Sequence, residues 1–521
     1  MQESVEEIGL STAESGAFYV PSKIVSAVLA LLLMVILARM LKPVPAAFGD
    51  FTIVLYIVTM LRFSGSLGIG TTLRKMLPGE RTNEGRRELM SAALTLTGSV
   101  SAAITVAVVL LGGMLLSYIY NKSYLGPSIS IAALTIFFII MFNILSSMLI
   151  AVKRARAASV ANVANSTVQL IAATALVLLG YGVFGAFAGM VIGAATGCLI
   201  QILYALRHRL VALKKPHYNT IKKLGHFAFP IFVSEVSSVW VNNFAVAFLG
   251  IFVTSTVIAN YGAAYKLGNF VEVLLTSSIF VLIPVFSSML SGESTSAKVS
   301  SIYKSSMYYS LVVFLPMLAY ALASSRALTF ILFSHSYTLA PLYFAVIVTG
   351  SMAAIFGRYA AALIVSYGDT GRFLKYQLIV LGVSVTALFI LTPTIGVMGT
   401  LLSMFVVAPI TLDVVYMRSL STQFHHPVVP ERTVRVVASS VILLAAMYIV
   451  TIMLHHSYEV IVANAVIMLA LFPVLLAATR GIRQKDVAFL SKLACKIGAG
   501  KFAILPLLSY TNLFLRAFNA P

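Results

Sequence analysis

Charge is scarce in this 521-residue chain: Asp, Glu, Lys and Arg together make up 10% of it, and only 16 residues are acidic. A soluble globular domain carries about a quarter charged residues, so that class is excluded. Long polar stretches are missing too. The longest are loops of roughly 15 to 20 residues and a C-terminal tail, which leaves no room for a separately folded catalytic domain. Two cysteines, Cys198 in an apolar run and Cys495 in a basic tail, make neither a disulfide framework nor a metal site. Lys and Arg are absent from the first 14 positions, where Glu3, Glu6, Glu7 and Glu14 stand instead. A secretory leader begins cationic, so the first apolar run is expected to be retained.

What is abundant is apolar side chain. Hydrophobic residues form 60% of the chain and the mean hydropathy is +0.98. The fold class this implies is an all-α polytopic membrane protein. Fourteen runs are long enough to cross a bilayer as helices, over 16–41, 46–73, 89–118, 128–152, 158–180, 183–206, 226–253, 257–287, 305–325, 340–366, 376–393, 397–418, 434–454 and 460–479. An even number places both termini on one side. With the N-terminus in the cytoplasm, 29 of the 36 Lys and Arg fall on the cytoplasmic side, in loops, the tail and the inner ends of spans, and only Lys42, Lys122 and Arg326 fall outside. That is the cationic excess which orients membrane proteins. The net charge of +20 is then mostly topology, with attraction to anionic inner-leaflet lipid, and nucleic-acid binding is not required.

The basic loop 207–225 reads as a linker between two six-helix lobes, 1–206 and 226–420, followed by two further helices over 421–479 and a cytoplasmic basic tail over 480–521. In the tail Val487, Leu490, Leu493, Ala494 and Ile497 share one face, with Lys485, Lys492 and Lys496 largely opposite, the pattern of an interfacial amphipathic helix. Pro43, Pro45 and Gly49 predict a tight outer turn, and Gly65, Gly68 and Gly70 a close contact or kink in the second span. Asn143, Asn162, Asn165 and Gln169 are read as interhelical hydrogen-bond formers. His335, His425, His426, His455 and His456 lie in loops or at span ends without ligand spacing, so no metal is expected.

The informative residues are the ionisable and amide groups inside apolar runs. Arg62 lies in the second span, Glu235, Asn242 and Asn243 in the seventh, Lys266, Asn269 and Glu272 in the eighth, Arg358 in the tenth and Asp413 in the twelfth. A charge facing hydrocarbon is costly, so such groups face a bundle interior or a watery path and mark function by default. The plainer reading is that they are fixed ion pairs between helices. Lys266 and Glu272 are six residues apart, about 120° around the helix axis, so each is expected to meet another helix. Arg39, near the outer end of the first span, is placed to snorkel.

Three stretches resemble a known family. ILARMLKPVPAAFG followed by LGIGTTLRKM is similar to the start of the polysaccharide flippases of the multidrug/oligosaccharidyl-lipid/polysaccharide exporter superfamily. FAFPIFVSEV and ANYGAAYKLGNFVEVLLTSSIFVLIPVFSSML resemble its seventh and eighth helices, and SHSYTLAPLYFAVI its outer loop and tenth helix. The chain departs from the family at Ser66-Leu67-Gly68, where an acid often precedes the glycine, and at Asn242-Asn243, where an aspartate is frequent. The resemblance implies two lobes around a central cavity that opens alternately to either side, and a lipid-linked oligosaccharide as cargo.

Such a cargo has an anionic phosphate or diphosphate head, a polar glycan and a long tail. Arg62 and Lys266 suit the head, Arg as a bidentate partner and Lys as a point charge, with Arg39 and Arg358 extending the cationic surface. Asn242, Asn243, Asn269, Tyr261 and Tyr265 suit the glycan, while Glu235, Glu272 and Asp413 are candidates for coupling or gating by H+ or Na+. No cofactor or enzymatic activity is expected. Partners expected are membrane lipids and a polysaccharide polymerase or glycosyltransferases, and the chain is read as a monomer in the cytoplasmic membrane. A cation-coupled multidrug exporter is the alternative, with Glu235 as its best support. A membrane-embedded glycosyltransferase would want paired outer carboxylates, and only Asp50 and Glu459 are available, far apart in sequence.

Overall fold

The computed structural model describes residues 2–517 except positions 81, 153, 209, 212–215, 281–285, 287–295, 424–431, 455, 489–490 and 492–499. Among the described residues the secondary structure is helical throughout, without a strand. Eleven segments are long and apolar enough to cross a membrane. One of them, Ala155–Arg207, is a hairpin of α6 (Ala155–Leu176) and α7 (Gly182–Arg207). Helices α8 (Tyr218–Phe252) and α9 (Ser255–Phe280), of 35 and 26 residues, are also long enough to span. With these the spans reach the fourteen expected, and the chain is a multi-pass membrane protein.

The chain forms two compact units, Met1–Gly262 and Ala263–Pro521, whose division falls within α9. In the first, α1 (Gln2–Met40) lies along α6, α6 along α7, and α7 against α5 (Gly126–Ala151). Helix α5 also packs on α2 (Ala46–Ser66) and on α4 (Asn83–Tyr120), while α8 rests on α2, α4 and α3 (Ile69–Gly79). Lipid tails are as apolar as the side chains, so helix contact here depends on close fit rather than on exclusion of water. Helix α7 shows how the sequence supplies that fit. Its Gly185, Gly189, Gly193 and Gly197 recur every four residues on one face, and a Cβ at Gly189 would overlap the backbone of Ala173 on α6. Polar contacts fix the register: the Asn162 amide donates to Ser26 Oγ at 2.7 Å and to the Ser22 carbonyl at 3.2 Å on α1.

The second span breaks where its glycines predicted a kink. Leu67 and Gly68 both have positive φ, 50° and 66°, and separate α2 from α3. A Cβ at Gly68 would come within 2.7 Å of the Phe232 backbone nitrogen, so the same glycine that turns the chain also admits α8.

The second unit continues with α10 (Ser296–Ala323), the short α11 (Ser325–Phe333), α12 (Ala340–Ala353), α13 (Ile355–Ser366) and α14 (Thr370–Ile395). Then come α15 (Val397–Leu402), joined through a widened turn to α16 (Ala408–Gln423), then α17 (Thr433–Met453), α18 (Ser457–Ala478) and α19 (Gly500–Ala517). Helices α12 and α13 form one bent span, as do α15 and α16. One core gathers Tyr303, Met307, Tyr359, Leu363 and Tyr416; another gathers Val436, Leu443, Met447 and Leu476 with Leu508 and Leu515 of α19. Asp369 caps α14 by accepting from the Arg372 backbone nitrogen at 3.0 Å. Half of the stretch 482–497 that carries the expected amphipathic tail helix, with Cys495, lies outside the described residues, as do His425, His426 and His455.

Candidate functional site

In the first unit Arg62 sits on the last turn but one of α2, four residues before Ser66 ends the helix. Its side chain is half-buried, and its guanidinium carbon lies 5.3 Å from the ring centre of the adjacent Phe63. No Asp or Glu among the described residues is within ion-pair distance of it. Of the amides assigned to the glycan, Asn243 on α8 is buried and Asn242 exposed. Tyr261 is 1% exposed, a core side chain of the stretch where Gly262 meets Thr52. The backbone of Glu235 lies within α8, and its side chain is outside the described residues. Arg39 is exposed at the last turn of α1.

In the second unit three residues from three spans come together. Arg358 of α13 donates through Nη2 to Glu272 Oε1 of α9 at 2.5 Å, both side chains about a quarter exposed. Asp413 of α16 accepts from the Gly357 backbone nitrogen at 2.7 Å, one residue from Arg358. Arg358 therefore stands between a carboxylate that it pairs with and one that is held beside its own backbone. Its Nη1 is buried and without a hydrogen-bond partner among the described residues. The Tyr303 hydroxyl nearby in the same core is likewise unpartnered, while the Tyr359 hydroxyl meets Ser310. Arg358, assigned to cargo, and Glu272, assigned to coupling, are thus one ion pair. Tyr265 and Lys266 are half-buried on α9 and Asn269 is exposed.

One cluster was not found by reading the sequence. Asp50, in the first turns of α2, accepts from Lys122 Nζ at 2.7 Å, from Ser255 Oγ at 2.6 Å and from the Tyr124 hydroxyl at 2.9 Å. Lys122 also donates to Ser255 Oγ. The Asp50 and Lys122 side chains are only 10% and 13% exposed. Next to them the Tyr120 hydroxyl donates to the Ala247 carbonyl at 2.9 Å. The Asp50 contacts fasten the start of α2 to the α4–α5 turn and to the first residue of α9, and Tyr120 fastens the end of α4 to α8, all within the first unit. A signal was present: Asp50 is the sole acid between Glu14 and Glu80, and Lys122 is one of three cations in the loops expected outside.

Residues 13–290, more than half of the chain, match the model of a family described as polysaccharide biosynthesis protein. The chain belongs to that family. The match runs through both Arg62 and the Asp50 cluster and reaches the end of α9. Among curated proteins none matches the sequence. Among solved structures the fold is similar to that of the lipid II flippase MurJ in an inward closed conformation, at TM-score 0.72 and 15% identity, over 88% of this chain and 98% of that one. It is similar to an inward-facing multidrug resistance MATE family transporter of the MOP superfamily, at 0.62 and 15%, over 75% and 93%. It is also similar to a MOP superfamily transporter from Pyrococcus furiosus described as having a binding pocket of reverse polarity, at 0.55 and 17%, over 78% and 94%. This polysaccharide biosynthesis family member therefore has the MOP superfamily fold.

Proposed function

We propose that the chain is a flippase that moves a lipid-linked oligosaccharide across the cytoplasmic membrane by alternating access, with both termini cytoplasmic, for synthesis of a surface glycan. The carrying observation is Arg62, a half-buried cation in a membrane helix with no carboxylate partner among the described residues. Such a cation calls for an anion, and the phosphate or diphosphate of a carrier lipid supplies one with the geometry a guanidinium binds through two N–H groups. Lys266 is a second cation assigned to the anionic cargo, and Asn242, Asn243, Asn269 and Tyr265 are the polar groups assigned to its glycan. The family description and the fold shared with a lipid II flippase support this reading.

A cation-coupled multidrug exporter shares the fold, but needs carboxylates free to meet a cationic drug. Here Asp50 is taken by Lys122 and Glu272 by Arg358. Asp413, held by a single backbone N–H, is the residue we assign to coupling by H+ or Na+, with Glu235 a second candidate from its place on α8. The proposed partners are the enzymes that supply the cargo and the polymerase that consumes it. The test is transport of a fluorescent lipid-linked oligosaccharide into proteoliposomes. Arg62→Ala is expected to lower the rate more than about tenfold, with Arg62→Lys intermediate because a point charge replaces the bidentate fork. Unchanged transport by Arg62→Ala would overturn the reading.

A further inference from the structure

At the end of α1 the first unit holds a cavity of about 430 Å³ lined by Arg39, Met40, Lys42, Val177, Leu178, Gly180 and Gly182. Two facts make its composition unusual. Lys42 and Lys122 are two of only three Lys or Arg in the loops of that face, and Lys122 is neutralised by Asp50. Lys42 and neighbouring Arg39, both exposed, converge on the one cavity. A single basic residue at a helix end is accounted for by the helix dipole. The second, two positions past the end of α1, is not.

The opposite wall is the α6–α7 turn. Gly180 and Gly182 have φ of 91° and 51°, a conformation that residues with a Cβ rarely adopt, and no atom lies within 4 Å of where their Cβ would be. The turn thus exposes bare backbone to the cavity, and α7, whose first amides have no intrahelical acceptor, begins there. The rim is apolar: Leu178, Leu179 and Tyr181 are 67%, 72% and 58% exposed.

We infer that this cavity binds the phosphate of an anionic phospholipid from the surrounding leaflet, with Arg39 and Lys42 on the headgroup and its acyl chains along Leu178 and Leu179. An apolar rim at the edge of a membrane helix suits a lipid better than a free ion. The inference moves Arg39, read from the sequence as an extension of the cargo surface, to a lipid of the bilayer, and it leaves Arg62 untouched.

The test is native mass spectrometry of the full-length protein released from nanodiscs of phosphatidylcholine doped with phosphatidylglycerol. The wild type is expected to retain phosphatidylglycerol in preference to phosphatidylcholine. Arg39→Gln with Lys42→Gln should weaken that retention more than about tenfold, each cation near a membrane surface adding several-fold. Arg39→Lys with Lys42→Arg, which keeps both charges, should preserve it and exclude a folding defect as the cause. Equal retention of phosphatidylglycerol by the wild type and the Gln pair would overturn the inference. Displacement of the lipid by inorganic phosphate would do so too, pointing to a free anion, as would retention confined to an added polyprenyl phosphate, pointing to cargo.

Discussion

Two ion pairs join residues of the candidate sites across different helices. Asp50 and Lys122 are nearly buried and share their remaining hydrogen bonds with Ser255 and Tyr124. Removing one partner of such a pair strands the other charge, at about 3 kcal/mol or more, whereas removing both restores much of the loss. Lys122→Met is therefore expected to lower the detergent melting temperature, and Asp50→Asn with Lys122→Met to recover part of it; additive losses would show that the two do not act as a pair. Arg358 and Glu272 are more exposed, and a charged hydrogen bond of this kind contributes about 2 kcal/mol. Its interest is its place beside Asp413. Asp413→Asn keeps the acceptor for Gly357 but loses the titratable charge, so it should leave folding intact and abolish the dependence of transport on an ion gradient. Retained coupling in Asp413→Asn would remove it from that role. That Arg358 and Glu272 lie in membrane helices was legible from hydropathy alone, but their pairing was not, nor was that of Asp50 with Lys122, since the partners lie 86 and 72 residues apart in the chain.

Helices are placed by small residues. The four-residue glycine repeat of α7 lets α6 approach until backbone meets backbone, and Gly68 combines a left-handed turn with contact to α8. A left-handed conformation imposed on a residue with a Cβ costs about 1 to 3 kcal/mol, and at Gly68 the added atom also meets the Phe232 backbone, which has little freedom to move. Gly68→Ala should then lower stability by about 2 kcal/mol or more, while Gly79→Ala, with nothing within 4 Å of its Cβ site, should be close to neutral. Equal melting temperatures for the two would refute the account. The glycines around Gly68 marked a kink or a close contact in the second span, and at Gly68 the structure has both. The α7 ladder is equally present in the sequence, yet nothing local says that it faces α6 rather than lipid.

At the scale of the molecule, topology rests on loop charge. If both termini are cytoplasmic, cysteines introduced at Tyr218 or His217 in a Cys198→Ser, Cys495→Ser background should resist an impermeant thiol reagent in intact cells, and one at Ser334 should react. The reverse pattern would invert the orientation. The sequence by itself determined that this is a helical membrane protein and nearly all of its spans, because hydropathy adds up along a local window and each spanning helix satisfies its own backbone hydrogen bonds. It also carried the family resemblance, through short motifs around the second, seventh, eighth and tenth spans. Only tertiary structure decided which buried charges neutralise one another and which, like Arg62, stand without a carboxylate among the described residues. A charge is written into the sequence, whereas its partner depends on how each helix is rotated about its axis, and close packing against neighbours far away in the chain fixes that rotation.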